Sequence, residues 1–200
     1  MHMGKARLEA FSDGVIAIII TIMVLEMKVP HGADLAALEP LIPVFLSYIL
    51  SFAFLGIYWN NHHHMLHTVE RVTGGVLWAN LHLLFWLSLL PFVTNWIGEN
   101  HSAAIPTALY GAVLLMEAVA YYTLQNVIIA SQGSDSILRK AVGKDSKGKV
   151  SLLLYIIAIL AAFVEQWISD GIYVVVALTW LVPDRRIERA LDAKRKERAT

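Results

Sequence analysis

The 200-residue chain contains no cysteine, which removes disulfides, thiolate metal sites, thiol catalysis and CxxC redox chemistry together. Charge is scarce as well. Only 16% of residues are Asp, Glu, Lys or Arg, against roughly a quarter in soluble domains, and sixteen bases balance sixteen acids. That balance leaves no bulk basicity to hold nucleic acid. No HExxH, Gly-rich phosphate loop or Ser/His/Asp spacing occurs either, so an enzymatic reading has no residues to start from. What the chain has in quantity is apolar surface, with 57% hydrophobic residues and a mean hydropathy of +0.58. At about 20 apolar residues per crossing, such a chain holds several membrane spans and no sizeable soluble domain beside them. The composition implies an all-α polytopic membrane protein.

Apolar runs at 15–25 (extendable back to about Leu8), 41–59, 76–97, 103–130, 150–167 and 172–182 predict six transmembrane helices. The sixth run is only eleven residues long, so crossing requires it to borrow 169–171 and 183–187. The first carries Arg7, Glu9 and Asp13 with no small-residue cleavage site after it, and reads as a retained helix, not a signal peptide. Lysine and arginine placement tests the count, because cytoplasmic loops are enriched in both. With six alternating spans, Lys5 and Arg7, Arg71, the five bases from Arg139 to Lys149 and the seven from Arg185 to Arg198 share one side. That is 15 of 16, with Lys28 alone opposite. Five or seven spans would spoil the segregation, so both termini are expected in the cytoplasm. Residues 1–187 are expected to form the six-span domain, and 188–200 a charged, solvated tail.

Ionisable groups at membrane depth face a bundle interior or water, so the first helix needs a reason for its polar residues. At about 100° per residue, Ile22, Leu25, Thr21 and Phe11 all lie within about 60° of Ile18. Ser12 and Asp13 fall well away from this stripe, and Gly14 beside them offers a place for another backbone to come close. Such a stripe suits lipid contact, packing against a neighbouring helix, or a common axis between several copies. At an axis, Ile18, Ile22 and Leu25 would form hydrophobic rings that gate by dewetting, and Thr21 a ring of hydroxyls.

A buried carboxylate needs donors. Span two returns to the depth of Ser12 and Asp13 with Trp59, Asn60, His62 and His63, and span three begins nearby with Asn80 and His82. The expected arrangement is a structural network in which Arg7, Ser12 and Asp13 tie the first helix to Asn60, His62, His63 and Asn80. His62, His63, His64 and His67 also raise a metal reading, with two imidazoles on one helical face at the 63/67 spacing. A secondary transporter or metal-ion carrier built on this cluster is therefore the rival function, although inverted repeats and broken helices are not evident. Glu117, near the middle of span four, is expected as a carboxyl partnered by Tyr121, Tyr122 or another span.

Arg7-x-x-x-Phe11-Ser12-Asp13-Gly14 at the start of the first of six spans resembles the signature of the transmembrane protein 175 family, the lysosomal potassium channels and their bacterial relatives. Trp59-Asn60-Asn61-His62-His63, Trp78-x-Asn80-Leu81, Leu90-Pro91-Phe92 and Pro183-Asp184-Arg185-Arg186 are similar to family segments too. The resemblance implies a potassium-permeable cation channel in the cell membrane, its pore lined by the first helix and not by a re-entrant loop. It implies a homotetramer for a single-repeat chain, potassium ions in the pore, lipid around it, and no further cofactor or metal. Family constrictions lie five, nine and twelve positions after the motif Asp, with a threonine eight after it. Carried over, these are Ile18, Ile22, Leu25 and Thr21, the residues grouped by helical angle, and Phe11 joins the structural set.

Overall fold

The computed structural model describes residues 4–101, 103–133, 136–143 and 145–181, all of whose regular structure is helical. The elements are α1 (Lys5–Leu25), α2 (Ile42–His67, preceded by a 3-10 turn at Leu35–Leu41), α3 (Gly74–Ser88), α4 (Leu90–Glu99), α5 (Ala104–Gln132), α6 (Ile137–Val142), α7 (Ser146–Ala161) and α8 (Gln166–Leu181). Several starts are set by short polar side chains that accept from otherwise unpaired amides. The Thr73 hydroxyl accepts from Val76 N at 3.3 Å, Ser136 from Arg139 N at 3.3 Å, and Asp145 from Gly148 N at 3.3 Å.

The single span expected at 76–97 is two helices. Pro91 has no N–H to return to Leu87, so α3 closes with a tighter bond from Leu89 N to Trp86 O at 3.1 Å, and α4 starts afresh with the proline in its first turn. The expected loop at 168–171 is also displaced. The chain turns at 162–165, where Val164 and Glu165 amides bond back to Ala161 O at 2.9 and 2.8 Å, and residues 168–171 lie inside α8. Ala162, Phe163 and Val164 are as apolar as the helices they join, so hydropathy gave no sign of the turn. His62–His67, beyond the apolar run that ends at 59, is the last part of α2. Pro183 and the charged tail at 188–200 lie outside the described residues.

Cross-links fix the directions of the helices. Lys5 Nζ donates to His67 O at 2.7 Å and Gln132 Nε2 to Thr68 O at 2.7 Å, so the α1 start and the ends of α2 and α5 share one end. Trp180 Nε1 donates to Ser151 Oγ at 2.8 Å, pairing the first turns of α7 with the end of α8. At the opposite end, Lys28 Nζ meets Glu99 Oε1 at 2.6 Å, which raises the lysine pKa and gives it a counter-charge. The helical passes therefore alternate. Among the described residues, four helical stretches are long and apolar enough to cross a bilayer: Lys5–Leu25, Leu35–His67, Gly74–Glu99 and Ala104–Gln132. The described α7 and α8 are 16 residues each, about 24 Å against a hydrocarbon core of about 30 Å. α2 and α5 hold the middle of the bundle, and α1 lies at one flank, packed on α2, α3 and α4 alone among the larger helix contacts.

Candidate functional site: the first helix and its polar anchor

The two faces of α1 have opposite environments. Leu8, Ser12, Ile16, Ile19 and Met23, spaced by three and four, are buried against α2, α3 and α4. Ile18, Thr21, Ile22 and Leu25 are left bare, with Ile18 60% and Leu25 75% exposed. The fold thus uses one stripe of α1 for its core and presents the other, of similar apolarity, to whatever lies outside. Thr21 spends its hydrogen on Ala17 O at 2.9 Å, so the hydroxyl oxygen keeps its lone pairs for an acceptor role on that bare face.

Opposite the bare stripe is a chain of polar groups. Ser12 Oγ donates to Leu8 O at 2.9 Å and accepts from Asn80 Nδ2 at 3.0 Å, while Asn80 Oδ1 meets His62 Nε2 at 2.7 Å. Ser12, Asn80 and His62 are all buried. The donor order is forced: with the serine hydrogen already committed, Asn80 donates to Ser12, its oxygen is left as acceptor, and His62 carries its proton on Nε2. Three helices, α1, α2 and α3, are joined through one amide.

The remainder of the expected network is arranged differently. Half-buried Asp13 accepts from Trp59 Nε1 at 3.0 Å, and among the described residues no histidine bonds to it. Arg7 and Phe11 lie on the exposed side of α1, Phe11 at 49%, and neither Arg7 nor half-buried Asn60 has a side-chain hydrogen bond or ion pair among the described residues. His63 turns to His67 at 3.1 Å, and His82 accepts from Trp86 Nε1 at 3.0 Å. The cause is helix continuity: with 62–67 wound into α2, successive histidines point about 100° apart. Among the described residues no three of His, Asp and Glu gather as a metal site would need, which leaves the metal-carrier reading without a ligand set. Among the described residues, nothing outside its own helix backbone and chain neighbours lies within 4 Å of where a Cβ on Gly14 would stand, so the site is open to a close approach.

Two features escaped the sequence. Thr94 Oγ1 donates to Ser51 Oγ at 2.7 Å and Ser51 shares a hydrogen with Tyr110 at 2.9 Å, a buried relay linking α4, α2 and α5. Its only sequence trace is three lone hydroxyls in apolar runs, which satisfy one another because lipid cannot. Glu117 is fully buried, and neither carboxyl oxygen has a hydrogen-bond partner among the described residues, against the expectation of a tyrosine partner. Tyr121 instead donates to Asn61 O at 3.4 Å.

Long apolar helices, alternating passes and a flanking helix with a bare apolar stripe define a multi-pass membrane protein. Residues 7–91 match the family described as endosomal/lysosomal potassium channel TMEM175. A potassium channel of Chryseobacterium sp. (strain P1-3) is 56% identical over 189 residues, covering 94% of this chain and 98% of that one. A potassium channel of Chamaesiphon minutus is 29% identical over 187 residues, 86% of this chain and 91% of its own. The fold is similar to the crystal structure of a lysosomal potassium-selective channel TMEM175 homolog from Chamaesiphon minutus, with a TM-score of 0.79 at 29% identity over 90% of this chain and 97% of that one. The chain belongs to the TMEM175 family, whose members are channels and not enzymes.

Proposed function

We propose that the protein is a potassium channel of the cell membrane, assembled as a homotetramer in which α1 of each copy surrounds a common axis. The observation that carries this reading is the division of α1: Ile18, Thr21, Ile22 and Leu25 lie on the one stripe its own subunit leaves bare, while the opposite stripe is anchored by Ser12, Asn80 and His62. Four copies turn the bare stripe inward, so Ile18, Ile22 and Leu25 become stacked apolar rings that exclude water when closed. Four Thr21 oxygens, their hydrogens held by Ala17 carbonyls, face the axis as acceptors that replace part of an ion's hydration shell. All six passes cross, and the bases at the α1 start and α6–α7 support a cytoplasmic position for both termini. The Ser12–Asn80–His62 bridge holds each α1 at fixed tilt and rotation, with Asp13–Trp59 beside it. Potassium and other monovalent cations are the cargo; the names of the relatives support potassium.

The test is potassium efflux from liposomes that contain the purified chain, with no coupled ion or substrate, together with native mass spectrometry of the particle. A four-copy particle and flux faster than carrier turnover are expected. A monomer, or no flux from correctly inserted protein, overturns the reading.

A further inference from the structure

A second feature lies on the other side of the subunit from α1. Between α2, α5, α7 and α8 there is a crevice of about 860 Å3, its open mouth included, which reaches from the α6–α7 connection inward to Phe54 and Tyr155. Its walls are unusually aromatic: Phe54, Tyr58, Tyr121, Tyr122, Tyr155 and Trp180 all line it. Among the described residues no basic side chain lines it, and its one charged liner is Asp145, at the mouth. Gln125 lines it at 5% exposure with no hydrogen-bond partner for its amide among the described residues.

Just beyond the inner end stands Glu117. It precedes Ala118 and lies one helical turn before Tyr121, both of which line the crevice, and it is within electrostatic reach of Tyr58 and Tyr155. Its two oxygens are fully buried with no partner among the described residues. An orphaned carboxyl behind an aromatic box offers a counter-charge to a cation lodged there, which would favour its ionised form. Aromatic faces attract ammonium groups, most strongly where water is excluded, and one such contact already exists at the rim, with Lys147 Nζ 4.5 Å from the centre of the Trp180 ring.

We propose that this crevice is a ligand site for an organic ammonium ion with a compact apolar body, the cationic group lodged among Tyr58, Tyr121 and Tyr155 toward Glu117. Gln125 and Asp145 meet polar groups of the ligand nearer the mouth. The site is separate from the α1 stripe, so occupancy does not require an open pore.

Phenyltrimethylammonium is the probe, and 2-phenylpropan-2-ol is its neutral near-isostere. Binding is measured by calorimetry on the purified full chain in maltoside micelles, with gel filtration checking each variant. Saturable binding of the cation, at least tenfold tighter than the alcohol, is expected. Glu117→Gln, which keeps shape and removes the ionisable group, weakens the cation roughly tenfold and leaves the alcohol unchanged. Ala118→Leu narrows the crevice from α5 and Trp180→Leu removes a wall from α8, and each weakens the cation by a similar factor. Equal affinity for cation and alcohol, tighter binding of an anionic probe such as phenylacetate, or a cation affinity untouched by Ala118→Leu and Trp180→Leu overturns the proposal. Loss of binding in Thr21→Val alone places the ammonium in the pore and overturns it too.

Discussion

Ile16 and Ile18 are two positions apart on α1, about 160° around the helix, and the same substitution should have opposite consequences at the two. Ile16 is 1% exposed, in contact with the core shared by α1, α2, α3 and α4; Ile18 is 60% exposed. Ile16→Asn empties a packed position, which costs about 2–5 kcal/mol for the lost aliphatic volume, and strands an amide, which costs about 1–3 kcal/mol more. Against a total stability of roughly 5–15 kcal/mol, most of the folded protein is at risk. Ile18→Asn forfeits little packing within the subunit, because little is there to lose. In the proposed tetramer its effect arises where four copies meet: four amides replace four alkyl groups at a constriction whose barrier is the cost of dehydrating an ion. Lowering that barrier by about 1.4 kcal/mol raises conduction about tenfold. Single-channel recording in planar bilayers, with tetramer content verified first, should give conductance at least several-fold above wild type for Ile18→Asn and a poor yield of tetramer for Ile16→Asn. Wild-type conductance in a verified Ile18→Asn tetramer, or an equal rise in Ile16→Asn, refutes the pore assignment of α1.

Further expectations follow from the same geometry. Asn80→Leu leaves the buried His62 Nε2–H without an acceptor and should lower thermal stability by about 1–3 kcal/mol, whereas Asp13→Ala breaks one exposed bond from Trp59 and should cost under about 1 kcal/mol; melting curves in the reverse order would move the anchor to Asp13. Thr21→Val keeps the shape but removes the hydroxyl oxygens, and reversal potentials under bi-ionic conditions should show reduced preference for potassium over sodium; an unchanged potential excludes Thr21 from selectivity. Gly98→Ala would set a Cβ 2.7 Å from Val44 Cα, a backbone atom that cannot swing aside, so a loss of about 1–3 kcal/mol is expected. A fully stable Gly98→Ala protein would show that α2 and α4 can separate without penalty.

What the residues determined on their own was everything that depends on composition and local period. The scarcity of charge and the length of the apolar runs specify a helical membrane protein, because lipid offers no partner to a backbone that is not helical. The FSDG segment with its preceding arginine marks the family, and the 3.6-residue period alone brings Ile18, Thr21, Ile22 and Leu25 onto one stripe. Sequence could not say which stripe of α1 is packed, since Ile16, Ile19 and Met23 are as apolar as Ile18, Ile22 and Leu25; only the contacts of α2, α3 and α4 break that tie. Nor could it choose partners. Ser12, Asn80 and His62 are 68 and 18 residues apart along the chain, and it is Trp59, stacked on His63 along the same face of α2, whose donor meets Asp13. The turn at 162–165 and the unpaired Glu117 have the same origin: hydropathy is blind to a turn built from apolar residues, and whether a buried carboxyl finds a donor is decided by the packing of helices distant in sequence.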